Sequence, residues 1–171
     1  MVPRVTDQKD NVLTHIDAAG RASMVDVGGK EATRRVALAG ARLRTRADVV
    51  ERMFAGDLPK GEALAVARVA GIQAAKRTWE LIPLCHPLQL SKVEVNFRRG
   101  EDGATVEIEA RAICTGPTGV EMEALTAAAT AALTLYDMAK AVDRAMVIEA
   151  ICLLEKSGGR SGNFVRQGGL P

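Results

Sequence analysis

The stretch from Thr118 to Lys140 constrains the fold more than any other part of the chain. After Gly119 it contains neither glycine nor proline, and it is dominated by Ala, Leu and Met. Such a composition specifies a helix of about six turns, with Gly119 marking its start. Most of its circumference is apolar. Glu123, Thr126, Thr130, Thr134, Asp137 and Lys140 follow one another at spacings of three or four, which places them along one face. An ordinary solvated face is usually dense in Lys, Glu and Arg, whereas this one is built mainly of threonine. A narrow polar stripe on a largely buried helix needs hydrogen-bonding partners, because buried polar groups must be satisfied. A pocket or a subunit interface would supply them.

A chain of 171 residues suits one domain with its own core. At 47% hydrophobic residues it is not a disordered polymer. The net charge of +2 is too small to mark a nucleic-acid binder, and 3% aromatic residues leave little for base stacking. Cys85, Cys114 and Cys152 are widely separated and odd in number. This suits neither a disulfide framework nor a zinc knuckle, so a reducing cytoplasm is the expected compartment. No signal-like N-terminus and no membrane-length apolar run is apparent.

Residues 1–12 read as a polar, disordered tail. Leu13–Gly20 and Ser23–Lys30 read as short extended pieces joined by glycines. Gly28-Gly29, next to Lys30 and Arg34-Arg35, forms a basic segment able to close over a phosphate. Arg34 to Arg44 reads as a first strand, bulged at Gly40. Thr45 and Asp48 resemble a helix cap, and the helix Arg46–Ala55 ends at Gly56. A second, Ala-rich helix is expected from Gly61 to Trp79, with Gly71 allowing another element to approach closely. Val93, Val95 and Phe97 alternate with polar residues, as do Val106, Ile108, Ala110 and Ala112. The turn Arg98–Gly103 between them makes an antiparallel hairpin. Met146 to Lys156 reads as a last strand, apolar on both faces and therefore central or covered. The element order is βαββαβ with one extra helix. It predicts an α+β, ferredoxin-like fold: an antiparallel sheet with the long helices on one face.

Several polar residues stand out against this frame. Lys60 precedes the first turn of a helix, where the dipole disfavours a cation, so it reads as facing an anionic substrate or working as a base with a lowered pKa. His86 lies in Leu81-Ile-Pro-Leu-Cys-His-Pro-Leu88, stiffened by prolines on both sides. A lone histidine there is more often structural than catalytic, and no second or third ligand lies near enough in sequence for a metal site. Lys156-Ser-Gly-Gly-Arg-Ser-Gly162 can wrap a phosphate, although the Walker A spacing is missing. Lys30, Arg35, Lys60, Lys76, Lys156 and Arg160 supply cations. Glu121, Glu123 and Asp137 supply carboxylates, and His86 a group that titrates near neutrality. Asp137 and Lys140, one turn apart, can share a proton. From the residues alone, this kit implies a phosphorylated small-molecule ligand and leaves open whether the chain is an enzyme or a binding module.

Longer strings carry a closer likeness. Gly71-Ile-Gln-Ala-Ala-Lys-Arg-Thr-Trp79, the Leu81–Leu88 string, Leu90-Ser-Lys-Val-Glu-Val95, Thr118-Gly-Val-Glu-Met-Glu-Ala-Leu-Thr126, Leu135-Tyr-Asp-Met-Ala-Lys-Ala-Val142 and the Lys156–Gly162 string resemble the molybdenum cofactor biosynthesis protein C family, the cyclic pyranopterin monophosphate synthases. The resemblance runs from Leu13 to Phe164. It implies an enzyme that converts 3′,8-cyclo-7,8-dihydro-GTP, made by a radical SAM GTP cyclase, to cyclic pyranopterin monophosphate and pyrophosphate. It implies a homohexamer, a trimer of dimers, with active sites at the dimer interface. Residues 13–164 would then be a single catalytic domain and 165–171 a C-terminal tail. By resemblance, Lys60, Asp137 and Lys140 are catalytic. Leu84, Cys85 and His86, with Met122 and Glu123, match substrate-binding segments. Glu121, Arg35, Lys30, Lys76 and Lys156 match positions around the pocket, and Arg160 stands where relatives often carry Lys. No resident cofactor is implied; Mg²⁺ would enter, if at all, with the triphosphate. No nucleic acid or membrane partner is expected. A non-catalytic nucleotide-binding module would instead bind GTP without releasing pyrophosphate. An RNA-binding sheet would show exposed aromatics, and the hairpin offers only Phe97, on its core-facing parity.

Overall fold

The computed structural model describes residues 20–171. The expected N-terminal tail and the Leu13–Gly20 piece up to residue 19 lie outside the described residues. The element order is β1 (Thr33–Arg44), α1 (Ala47–Ala55), α2 (Ala63–Lys76), α3 (Thr78–Leu81), β2 (Leu90–Arg99), β3 (Thr105–Gly116), α4 (Glu121–Ala139), β4 (Val147–Ser157) and β5 (Phe164–Val165). The strands form one antiparallel sheet in the order β2-β3-β1-β4-β5. Its first four strands have the ferredoxin-like arrangement that the element order predicted. The helices pack on one face, with α4 lying over β1, β3 and β4 and α2 over β2.

Small side chains set the spacing of these layers. β1 turns Ala37, Ala39, Ala41 and Leu43 into the core, and β3 turns in Val106, Ile108, Ala110 and Ala112. They meet Ala124, Ala127, Ala128, Ala131 and Leu135 of α4, all fully buried. The α2–α4 crossing is tighter still. A methyl group at Gly71 would lie 2.9 Å from the Ala127 carbonyl oxygen and 3.1 Å from Val95 Cγ2. The close approach expected at Gly71 is therefore present. Lys60, just before α2, meets Asp137 near the end of α4, so the two helices run antiparallel.

Several local expectations change. Thr45 does not cap α1: its hydroxyl donates to Asp143 Oδ2 at 2.8 Å. Arg46 takes the cap position without a side-chain cap, and its guanidinium pairs instead with Asp48. Gly56 ends α1 in the left-handed conformation, as expected. The second helix stops at Lys76, because Arg77 leaves helical geometry with φ −115° and ψ 15°, and a separate short turn holds Trp79. The long helix begins at Glu121, two residues after Gly119. The irregularities expected at Gly40 fall in its partner strand: β4 carries an extra residue opposite Leu38–Ala39 and another opposite Gly40–Arg42, where Ala150 has φ 59°. These bulges interrupt the alternation of β4, so Val147 and Ile151 stay exposed in the single chain and the strand is not covered on both faces. After the Lys156–Gly162 loop the chain returns as the edge strand β5. Arg42 then holds the carbonyls of Leu170 and Pro171 over the sheet.

Candidate active site

The sequence-marked residues collect at the two ends of α4. At its C-terminal end, the turn before α2 is anchored by buried Leu58 and closed by Gly61 N–H donating to the Leu58 carbonyl at 2.9 Å. This turn presents Lys60 to Asp137. Lys60 Nζ donates to Asp137 Oδ2 at 2.7 Å and to the Asp137 backbone carbonyl at 3.1 Å. Lys140, one turn further along, pairs with Asp137 Oδ1 at 2.8 Å. Asp137 is about half exposed, yet hydrogen bonds from Lys140 and then Lys60 hold its carboxyl down at about 2. The awkward cation before α2 is thus explained by a carboxylate from a different helix. Two ammonium groups bound to one carboxylate form a compact site for passing protons and steadying negative charge.

At the other end, a pocket of about 500 Å³ is lined by Val25, Val27, Ile82, Leu84 and Leu88 on its apolar walls, with Cys85, His86, Met122, Glu121, Glu123 and Lys30 around them. The proline-braced loop after α3 supplies Leu84–His86. His86 is fixed by its Nε2, 2.9 Å from the Val25 carbonyl. Glu123 sits in the first turn of α4 with 4% of its surface exposed. Burial pushes its carboxyl up to about 7, its own backbone N–H opposes that, and the neighbouring Glu121 adds to it. Burial and the charge of Glu123 also push the Cys85 thiol up.

A second pocket of about 580 Å³ adjoins the first, sharing Lys30, Thr118, Gly119 and Glu121. Its cations are Lys30, Arg35, Lys156 and Arg160. Arg35 donates to the carbonyls of Gly116 and Pro117, both at 3.3 Å, which fixes its guanidinium. Lys156 pairs with Glu121 at 3.3 Å and donates to Ser161 Oγ at 2.5 Å. The Lys156–Gly162 loop passes directly over Arg35. A methyl group at Gly159 would collide with the guanidinium and one at Gly158 with the Arg34 carbonyl, and both glycines have positive φ. Glycine is therefore what lets this basic loop close down on Arg35.

An apolar slot ending in a buried carboxyl beside a basic cradle suits a heterocycle carrying phosphates. Of the residues singled out from sequence, Leu84, Cys85, His86, Met122, Glu121, Glu123, Lys30, Arg35, Lys156 and Arg160 line these two pockets. Lys76 does not; it is exposed at the end of α2. Lys60, Asp137 and Lys140 stand apart. Fourteen residues of helix separate Glu123 from Asp137, about 21 Å at 1.5 Å per residue. Nothing in the sequence pattern flagged Val25, Val27, Ile82 or Leu88, because apolar walls look like core until a cavity appears beside them. Ser161 was legible only as part of a Gly/Ser loop. Among the described residues, no group of three His, Cys, Asp or Glu side chains is arranged to hold a metal ion. None of the helices there is long and apolar enough to cross a membrane.

Fold and pockets together define a ferredoxin-like α+β protein with a candidate small-molecule site at the N-terminal end of α4. The MoaC family profile matches residues 24–159, so it spans the first pocket, the Lys60–Asp137–Lys140 cluster and all of the second pocket except Arg160 and Ser161. The chain belongs to the MoaC family. It is 60% identical over 156 residues to the cyclic pyranopterin monophosphate synthase of Pelotomaculum thermopropionicum, covering 91% of this chain and 92% of that protein. A protein of the same name from a Roseiflexus species is 59% identical over 153 residues, covering 90% of this chain and 97% of its own. Another, from Corynebacterium efficiens, is 59% identical over 152 residues, covering 89% and 97%.

Proposed function

We propose that this chain is a cyclic pyranopterin monophosphate synthase, an enzyme of molybdenum cofactor biosynthesis. It converts 3′,8-cyclo-7,8-dihydro-GTP to cyclic pyranopterin monophosphate and releases pyrophosphate. The nucleotide comes from a radical SAM GTP cyclase, and the reaction takes place in the cytoplasm. The names and high identity of the relatives support the activity. One geometric observation favours catalysis over simple nucleotide binding: Asp137 held between two lysines at 2.7 and 2.8 Å. A binding module needs no such group, whereas ring opening and reclosure need proton transfers.

The heterocycle enters the apolar slot beside His86 and Glu123. The phosphates lie on Lys30, Arg35, Lys156 and Arg160, where clustered positive charge stabilises the departing pyrophosphate. Asp137, Lys60 and Lys140 carry the proton transfers. At about 21 Å from Glu123 along the same helix, they cannot reach a ligand in that slot within one chain. The complete site therefore forms between two copies, each giving opposite ends of α4. Ala65, Val66, Val69, Ala70 and Gln73 make an apolar strip on the outer face of α2, with Val66 45% and Val69 57% exposed. An isologous contact there, with the two helix layers antiparallel, brings the two ends together. Exposed Val147, Ile151, Phe164 and Val165 offer a further apolar surface for assembling dimers into a hexamer.

Incubation with 3′,8-cyclo-7,8-dihydro-GTP tests this reading, scored by released pyrophosphate and by pterin fluorescence after oxidation. Lys60→Ala and Asp137→Ala should fold and assemble yet form no product. Near-normal turnover by either variant would remove the proposed proton-transfer cluster from the reaction.

A further inference from the structure

Among the described residues, Glu123 is the one buried carboxyl and no cation is paired with it. Of the cations nearby, Lys156 is engaged with Glu121 at 3.3 Å, and the Arg35 guanidinium is spent on two backbone carbonyls. Lys30 lies on the exposed rim where the two pockets meet, and Lys76 is exposed at the end of α2. The other groups facing this region are Cys85 and His86 from the proline-braced loop, Cys114 from β3 and Glu121 from α4. None of them is paired with Glu123: the His86 Nε2–H is directed at the Val25 carbonyl, and the Cys114 thiol is pushed up, chiefly by burial. The walls are valine, isoleucine and leucine. An anion here would have little water, no counter-ion and a second carboxylate two residues away, an arrangement that favours the protonated form. Burial and Glu121 together push the carboxyl up to about 7.

We propose that Glu123 receives the ligand as a neutral carboxylic acid, pairing its O–H and C=O with a heterocycle edge that offers one acceptor beside one N–H donor. The distinction sets specificity. An ionised carboxylate has acceptors only and selects an edge with two N–H donors, whereas the neutral acid selects a lactam or amidine edge. The aminopyrimidinone ring of the proposed substrate carries edges of both kinds, so the protonation state of Glu123 decides how the ring lies in the slot. This inference rests on the substrate proposed above.

The experiment is calorimetric binding of 3′,8-cyclo-7,8-dihydro-GTP to the Asp137→Ala protein, which holds the ligand without turnover, between about pH 5.5 and 8.5. With Glu123 intact, affinity should be level below about pH 7 and fall by up to roughly tenfold per unit above it. Glu123→Gln keeps one donor and one acceptor in the same place. It should bind within roughly threefold of the parent at low pH and lose the alkaline fall. Affinity that rises through pH 7, with Glu123→Gln losing about thirtyfold or more, would overturn the proposal in favour of an ionised acceptor. A wild-type protein that neither binds nor converts this nucleotide would instead refute the substrate. Even then the carboxyl is read directly: its protonated C=O infrared band should be present near pH 6 and missing from Glu123→Gln. Its absence from the wild type would sink the proposal.

Discussion

Substituting Gly71 by alanine tests how the helix layer is held together. Alanine normally stabilises a helix interior by up to about 1 kcal/mol relative to glycine. Here the new methyl would lie 2.9 Å from the Ala127 carbonyl oxygen, 3.1 Å from Val95 Cγ2 and 3.4 Å from Ala131 Cβ. The oxygen belongs to the backbone of α4, so it can retreat only if the whole helix moves. Overpacking of this kind costs about 1–3 kcal/mol. With the full propensity gain subtracted, the net loss should be up to about 2 kcal/mol, or a fall in Tm of up to roughly 8 °C for a domain of this size. Calorimetry at matched protein concentrations measures it, with urea unfolding to confirm an unchanged m-value. Repeating the substitution in a Val95→Ala background separates the sources. The side-chain part of the penalty should vanish there, and the carbonyl part should persist. A raised Tm would refute the reasoning. An identical penalty in both backgrounds would show that Val95 is not part of the clash.

Ala150 occupies the left-handed region at φ 59° in a β4 bulge. Ala150→Gly should therefore stabilise the protein by about 1 kcal/mol, read as a raised urea midpoint. Glu123 has a folded pKa near 7 against an ordinary value of 4.5, so the folded state holds a proton that the unfolded state releases. Its contribution to stability is present at acid pH, is lost as pH rises from about 4.5 to 7, and is level above that. Glu123→Gln should lack this decline, and the difference is bounded at about 3 kcal/mol in a pH series of unfolding curves. Asp137 titrates in the opposite sense. Its pairing with Lys140 and Lys60 is complete above the ordinary carboxyl range and is lost only as pH falls through about 2. Carboxyl NMR should show this low midpoint, and Lys60→Ala should raise it.

Where a segment's surroundings are local, the sequence was sufficient. The hairpin alternation of Val93, Val95 and Phe97 against Val106, Ile108 and Ala110 has its cause within some twenty residues of chain. Gly56 and Gly71 had steric readings that needed no partner to be named. Asp137 and Lys140 were paired correctly because one helical turn separates them, at 2.8 Å. Lys60 joins them across 77 positions, which no spacing rule reveals. Thr45 and Asp48 have the spacing of a cap, yet Asp143, 98 positions away just after α4, competes for the hydroxyl and wins. The stripe on α4 is the clearest case. Glu123 and Asp137 look alike along the helix, but distant chain covers the first and leaves the second in water. In the middle, Thr134 satisfies itself by donating to the Thr130 carbonyl at 2.8 Å, so that part of the stripe needs no ligand. The bulges of β4 were invisible because alanine at position 150 carries no mark of its unusual backbone.

Each copy carries Glu123 and Asp137 too far apart to serve one ligand, so on the two-copy reading every working site is assembled from two molecules. A mutant allele lacking Lys60 and another lacking His86 would each be inactive alone. In a mixed dimer, one site collects both lesions and the other collects neither. Two dead alleles expressed together would then regain activity, and with random pairing roughly a quarter of normal sites would be intact. A single defective copy among normal ones would correspondingly spoil sites it shares with healthy neighbours, so inheritance of such mutations would follow the assembly rather than the single chain.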